Sequence, residues 1–162
     1  MDRYEPTSDF LTAVINDDAP LSGSIFGDDN LRRLVAMTGD PDKSNRDWAT
    51  FLLAQSDFDD DAIRQALLRA AADDDEMIRA EAIAGLARRD RDLALPLIKQ
   101  ALAARSVPHP IFEAAAYAAD PALVDDLRRF ASPSEAPHID DMIAEALTAC
   151  ESGKPPQWCS NV

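Results

Sequence analysis

Apolar residues recur at helical spacing along most of the chain. In the stretch 73–89, Ile78, Ala82 and Leu86 stand four residues apart behind an acidic turn, as in a helix with one buried face. The pattern recurs 33 residues earlier. There Asp40, Arg46, Ala49, Leu53 and Asp57 correspond to Asp73, Arg79, Ala82, Leu86 and Asp90. It also recurs one step later, at Ile111, Ala115 and Ala119. A fixed period of this length, built from helical segments, is the sequence signature of an α-solenoid.

The period predicts pairs of helices. The predicted segments are 28–38 with 46–55, 61–72 with 73–89, 91–106 with 111–120 and, in a shorter fourth unit, 121–131 with 136–150. Ser44 or Asn45 is the expected N-cap of the second segment. Pro96 is expected in a first turn, where proline is tolerated. A glycine inside a helix, Gly85, indicates a close approach by a neighbouring helix.

Three regions follow from this pattern. Residues 1–27 lie outside the repeat and are expected to cap its first unit, as terminal segments of solenoids do. Residues 28–150 hold three clear units and one degenerate unit, and residues 151–162 form a polar, irregular tail. The fold class is therefore all-α, a single-domain α-solenoid. Within the tail, Trp158 is expected either to pack back onto the last helix or to stand exposed.

The net charge of the chain limits the kinds of molecule that it is expected to bind. Thirty Asp and Glu face sixteen Lys and Arg, a formal net charge of −14, which argues against binding nucleic acid or anionic membranes and allows a basic protein partner. The N-terminal residues resemble no signal peptide, and no apolar run is long enough to span a bilayer. Cys150 and Cys159 match no zinc or redox motif. A cytoplasmic protein with reduced thiols is the expectation.

Candidate chemistry is sparse. His138 with Asp140 and Asp141 makes a weak cluster, whereas a metal site needs at least three convergent ligands. The acidic run 57–61 lacks the glycine and the distal glutamate of a calcium-binding EF-hand loop. Known nucleotide-binding, hydrolase and metalloprotease motifs are absent from the sequence. We therefore predict no catalytic residues, no metal, no cofactor and no enzymatic activity.

The two-helix unit, with Asp in its turn and Ile-Arg-x-x-Ala opening its second helix, resembles the HEAT repeat of small bacterial HEAT-repeat proteins. The segments DPDKSNRDWATFLLAQ and DDDEMIRAEAIAGLARRD carry the resemblance. It implies a right-handed superhelix whose second helices line a concave, partner-binding surface. It also implies a ladder between units formed by Asp40, Arg46, Asp73 and Arg79. Because Ser106 and Phe112 replace these residue types in the third unit, the ladder should stop there.

A candidate interface lies on the second helices, at positions turned away from the predicted core. Trp48, Phe51 and Tyr117 would anchor a partner, since aromatic anchors with a charged rim are typical of protein interfaces. The full set of predicted partner-binding residues is Asp47, Trp48, Phe51, Glu81, Arg88, Glu113 and Tyr117. Alternatively, Trp48 and Phe51 pack under the N-terminal segment.

The predicted function is non-enzymatic protein–protein binding through the concave face. A more specific hypothesis is an immunity-type or antitoxin inhibitor of a basic toxin. A third hypothesis is a lyase-like or other enzyme on the same fold, which would require a convergent polar site.

Overall fold

The computed structural model describes residues 4–160, and this part of the chain contains helices and no strands. The α-helices are α1 (Asp9–Ile15), α2 (Gly27–Met37), α3 (Lys43–Gln55), α4 (Asp61–Ala70), α5 (Glu76–Arg89), α6 (Arg91–Leu102), α7 (Pro110–Ala118), α8 (Val124–Arg128) and α9 (Pro137–Ser152). Short 3-10 helices cover Pro121–Leu123 and Gln157–Ser160. The predicted α-solenoid is confirmed. No helix of the described residues is long and apolar enough to cross a membrane.

The helices form two layers. The second helices of the units, α3, α5, α7 and α9, pack side by side, and each rests on its own first helix, α2, α4, α6 or α8. Buried residues of both layers form one continuous apolar core. We call the side of α3, α5 and α7 that faces away from the first helices the second-helix face.

Helix α5 lies at the centre of the solenoid, packed against α3, α4, α6 and α7. Nine of its residues are buried, including the whole run from Ala80 to Ala87. A Cβ on Gly85 would stand 2.8 Å from the Cα and the Cβ of Ala54 on α3. The predicted packing role of this glycine is confirmed, because a real Cβ would overlap the neighbouring helix.

Aspartate caps begin the four central helices, α3 to α6. The side chains of Asp42, Asp60, Asp75 and Asp90 accept hydrogen bonds from the first-turn amides of α3, α4, α5 and α6. The prediction that Ser44 or Asn45 caps α3 was wrong. Asp42 binds the amides of both of these residues, so the helix begins three residues earlier than expected and carries them in its first turn.

The position of Pro96 also differs from the prediction. Because Asp90 caps α6 and the helix begins at Arg91, Pro96 lies in the helix interior and not in the first turn. A proline there lacks the N–H that would bind the carbonyl four residues earlier. Pro96 is exposed, so water can solvate that carbonyl at the surface.

The ladder between the units forms once and then stops, as predicted. The Arg46 guanidinium binds the Asp73 carboxylate of the next unit at 2.8 Å and also donates to the Asp40 carbonyl. Arg79 donates to the carbonyls of Asp73 and Asp74 in its own turn. In the third unit Ser106 takes the position of Asp73 and Phe112 that of Arg79, so this unit supplies neither the carboxylate nor the arginine that would continue the ladder.

The terminal segments pack onto opposite ends of the second helices. In α1, Phe10, Leu11 and Val14 are buried, and the amide of Ser8 donates to Asn45 Oδ1 on α3 at 3.0 Å. At the other end, Trp158 packs edge-on against Tyr117 with ring centroids 5.2 Å apart, and its indole N–H donates to Glu145 of α9. The tail thus folds back, which is the first of the two arrangements expected for Trp158.

Candidate functional site

A groove of about 290 Å³ opens on the second-helix face. Its lining residues are Tyr4, Asp47, Trp48, Phe51, Met77, Glu81 and His109. We call it the Trp48 groove. Its walls come from three successive units, because α3, α5 and the start of α7 all contribute to it. Four of the predicted partner-binding residues, Asp47, Trp48, Phe51 and Glu81, therefore meet at one place.

One wall of the groove is apolar and partly open to solvent. The rings of Trp48 and Phe51 pack edge to face, with centroids 6.0 Å apart. Phe51 is 39% exposed and Met77 is 36% exposed. Residues 4–27 therefore do not enclose Phe51, although Tyr4 lines the same groove. Trp48 is half-buried against the core.

The floor of the groove carries a buried carboxyl group. The sequence placed Glu81 on an exposed rim, and that expectation was wrong, because Glu81 is only 8% exposed. Helices α3 and α7 flank α5 on both sides and cover its outward positions, including Ala80, Ala84 and Glu81. Burial raises the pKa of Glu81 to about 7, and the negative charges of Glu113 and Asp47 add to this shift.

Two polar atoms of the groove make no hydrogen bond within residues 4–160: Trp48 Nε1 and Glu81 Oε2 are both buried. A buried donor or acceptor without a partner costs about 1–3 kcal/mol, and more when it is charged. At the rim, burial and then the hydrogen bond and charge of Asp47 raise the pKa of Tyr4 to about 12. The Trp48 groove and its rim therefore favour a bound cation over a bound anion.

The remaining predicted residues lie further along the same face. Arg88 and Tyr117 line a separate depression of about 200 Å³ with Cys159 of the tail. The Arg88 side chain is 11% exposed, binds Asp57 at 3.2 Å and donates to the carbonyl of Gln55. It also stands over the Tyr117 ring at 5.6 Å. Its guanidinium is therefore engaged within the chain.

Glu113 lies between the groove and this depression. Burial raises its pKa, whereas the charge of Arg88 lowers it. The negative charge of Glu113 in turn raises the pKa of Glu81. The second-helix face thus carries Asp47, Glu81 and Glu113 on three neighbouring helices, with the arginine at one end of the row.

Arg89 is a residue whose role sequence reasoning missed. Its guanidinium donates to the carbonyls of Leu53, Ala54 and Ser56, at the C-terminus of α3, and to that of Phe58. The carbonyls of Leu53 and Ala54 belong to the last turn of α3, where the regular helical partner four residues ahead is missing, and Leu53 also accepts from the amide and the hydroxyl of Ser56. A basic residue in a last turn usually suggests binding to its own helix end, so the sequence alone did not point to the neighbouring helix.

The candidate metal cluster near His138 has a structural explanation. Asp140 accepts hydrogen bonds from the amide and the hydroxyl of Ser134 at 2.9 and 2.8 Å. Among residues 4–160, no group of three or more His, Cys, Asp or Glu side chains converges as metal ligands would. His109 belongs instead to the rim of the Trp48 groove, where burial lowers its pKa and the nearby His138 lowers it further.

Comparisons with known proteins agree with this architecture. The family model for HEAT repeats matches residues 31–118. Protein YibA from Escherichia coli K12, like the same protein from strain O157:H7, is 30% identical over 115 residues. That match covers 71% of this chain and 38% of YibA, so the chain spans well under half of the relative's length. The X-ray structure of E. coli YibA superposes with a TM-score of 0.60 at 21% identity, over 86% of this chain and 54% of that one.

Proposed function

The chain belongs to the HEAT-repeat family, and from this premise we propose that it is a non-enzymatic protein-binding module whose partner docks on the second-helix face, at the Trp48 groove. We infer from the family resemblance that this face is the concave side of the solenoid. The proposed docking residues are Asp47, Trp48, Phe51, Glu81 and, further along, Glu113 and Tyr117. We also propose that the protein acts in the cytoplasm.

The Trp48 groove is the observation that carries the proposal. It combines exposed aromatic and methionine surface at Phe51 and Met77 with two buried polar atoms, Trp48 Nε1 and Glu81 Oε2, that find no hydrogen-bond partner in the described part of the chain. Interfaces concentrate their binding energy in such aromatic anchors, surrounded by a polar rim. Water-free contact with a partner would also give the two buried atoms their missing hydrogen bonds.

The net charge of −14 supports a partner with a basic surface. A field of this sign speeds the encounter with positively charged proteins and repels nucleic acid and other acidic proteins. Arg88 contributes little to this field at the surface, because its guanidinium is paired with Asp57.

Site-specific photo-crosslinking tests the proposal. Benzoylphenylalanine is placed at Phe51 in the groove or, as a matched control, at Gln65, an exposed position on the first-helix layer. After irradiation in the native host, we expect a protein adduct from the Phe51 position and not from the Gln65 position. Adding Trp48→Ala should remove the adduct while circular dichroism shows an unchanged helical fold.

Equal crosslinking from both positions, or from Gln65 alone, would refute the groove as the docking site. Mass spectrometry of the adduct identifies the partner. A basic toxin would support the more specific hypothesis of an immunity-type inhibitor, which remains a prediction.

A further inference from the structure

The buried floor of the Trp48 groove suggests which chemistry the partner brings. Glu81 is more than nine-tenths buried, and its Oε2 has no hydrogen-bond donor among residues 4–160. An ionised carboxylate in such a place is unfavourable unless a cation or several donors approach it. A carboxylate at a position where glutamine or leucine would be more stable points to a functional requirement.

The charged groups around Glu81 are acidic. Asp47 faces it from α3 and Glu113 faces it from α7, and both raise its pKa. The other titratable groups of the groove are Tyr4 and His109, whose pKa values are shifted in the directions that favour their neutral forms at pH 7. Two basic residues whose charges reach these carboxylates are paired elsewhere: Arg88, which acts on Glu113, is held by Asp57 and the end of α3, and Lys43, which acts on Asp47, is paired with Asp75. Among residues 4–160, the negative charge of the groove is therefore not balanced by a basic side chain of its own lining.

The apolar wall of the groove places a second, independent requirement on the group that binds there. Trp48, Phe51 and Met77 present aromatic and thioether surface beside the carboxylate. Long basic side chains satisfy both features at once, because their methylene stems pack on apolar surface while the charged head reaches a polar group. Aromatic faces also attract cations directly.

We propose that the Trp48 groove binds a lysine or arginine side chain of a protein partner, with its stem on Trp48 and Phe51 and its cationic head at Glu81. This inference rests on the proposed function and names the chemistry of the docked segment. The groove, at about 290 Å³, lies at the lower limit of the roughly 300–1,000 Å³ typical of small-molecule pockets. Its size therefore suits a single long side chain.

A polypeptide suits the groove better than a free cation. The indole N–H of Trp48 is a second buried polar group that has no acceptor between residues 4 and 160, and a peptide carbonyl is the acceptor that a bound chain would bring. A polyamine offers positive charge and methylenes but no acceptor of this kind. The terminal torsion of a glutamate is broad, so a small rotation at Glu81 can present either oxygen to the incoming group.

Nuclear magnetic resonance of the full chain tests the proposal directly. The indole N–H signals of Trp48 and Trp158 report on the groove and on the distant tail, respectively, and a Trp158→Phe variant assigns them. The probes are acetyl-Gly-Lys-Gly-amide and its arginine counterpart. We expect a saturable shift of the Trp48 signal and no shift of the Trp158 signal. Glu81→Gln should weaken binding about tenfold or more, because a charge-assisted contact is lost.

Matched controls separate the alternatives. Asp125→Asn removes a carboxylate whose side chain is 95% exposed on α8, and it should leave binding of the lysine peptide unchanged. The same peptide with an acetylated lysine side chain, which keeps the length and loses the charge, should fail to shift the Trp48 signal.

Three results would overturn the inference: no shift with either basic peptide, an equal shift with the acetylated peptide, or binding of spermidine as tight as that of the lysine peptide. The third result would make the groove a site for a free polyamine. A crosslinked partner from the Phe51 position, combined with failure of the basic peptides, would leave the proposed function standing and refute only the chemistry assigned here.

Discussion

Glu81 makes the stability of this protein depend on pH in an unusual direction. Its pKa rises from an ordinary 4.5 to about 7 on folding, mainly because the carboxyl group is buried. Between these two values the folded state holds more protons than the unfolded state. The contribution of Glu81 is therefore most favourable below pH 4.5, and it declines as the pH rises, until it levels off above about 7.

The size of the effect follows from the two pKa values. With a pKa of 4.5 in the unfolded state and about 7 in the folded state, linkage predicts that ionising Glu81 lowers the free energy of unfolding by about 2 kcal/mol between pH 5.5 and pH 8. Glu81→Gln keeps the shape of the side chain and removes its ionisation. We expect the variant to gain about that much stability over the wild type as the pH rises through this interval.

Urea unfolding followed by circular dichroism, at half-unit steps from pH 5.5 to pH 8, measures the difference between the two proteins. Asp125→Asn is the control, because its exposed carboxylate should give a difference that does not change with pH. Parallel curves for wild type and Glu81→Gln would refute the reasoning, and so would a variant that loses stability relative to wild type as the pH rises. Either result would mean that a donor or cation already stabilises the carboxylate in the free protein.

Four further substitutions test the packing and the contacts between units, each by urea unfolding against the wild type. Gly85→Ala should destabilise the fold by about 1–3 kcal/mol although alanine favours helix, because its Cβ would overlap Ala54; a stabilised variant would contradict the close approach of α3 and α5. Arg89→Met should cost about 2–4 kcal/mol, since the carbonyls at the end of α3 lose their donors; a neutral result would show that water replaces them. Arg46→Ala should cost about 1–2 kcal/mol and more than Arg79→Ala, because only Arg46 forms an ion pair with the next unit; equal losses would exclude a contribution from that pair.

The fold was predictable from the sequence because solenoid contacts are short in range. Each unit packs on its neighbours, so the same buried positions recur every 33 residues, as at Ala49 and Ala82. The residue that caps each helix was harder to predict. The sequence offered Ser44 and Asn45 as candidate caps of α3, whereas the structure places Asp42 at the cap.

The candidate site was predictable in part. Helical periodicity placed Trp48 and Phe51 on one face of α3, and both line the groove. The period of a single helix carries no information on what lies beside it, so the burial of Glu81 between α3 and α7 went unseen. Tyr4 comes from the N-terminal segment and His109 from the linker between the two helices of the third unit, and nothing in the local sequence indicates that they reach the same groove.

The contacts at the two ends of α3 bear on the entropy of binding. At its start, Arg46 and Lys43 bind Asp73 and Asp75 of the next unit, and at its end Arg89 holds the last carbonyls. Both ends of α3, the helix that carries Trp48 and Phe51, are thus bound to the next unit. A partner would meet a preorganised surface and would lose little free energy in ordering it. Substitution of Arg89 would then weaken binding from a distance, by letting one wall of the groove move relative to its floor.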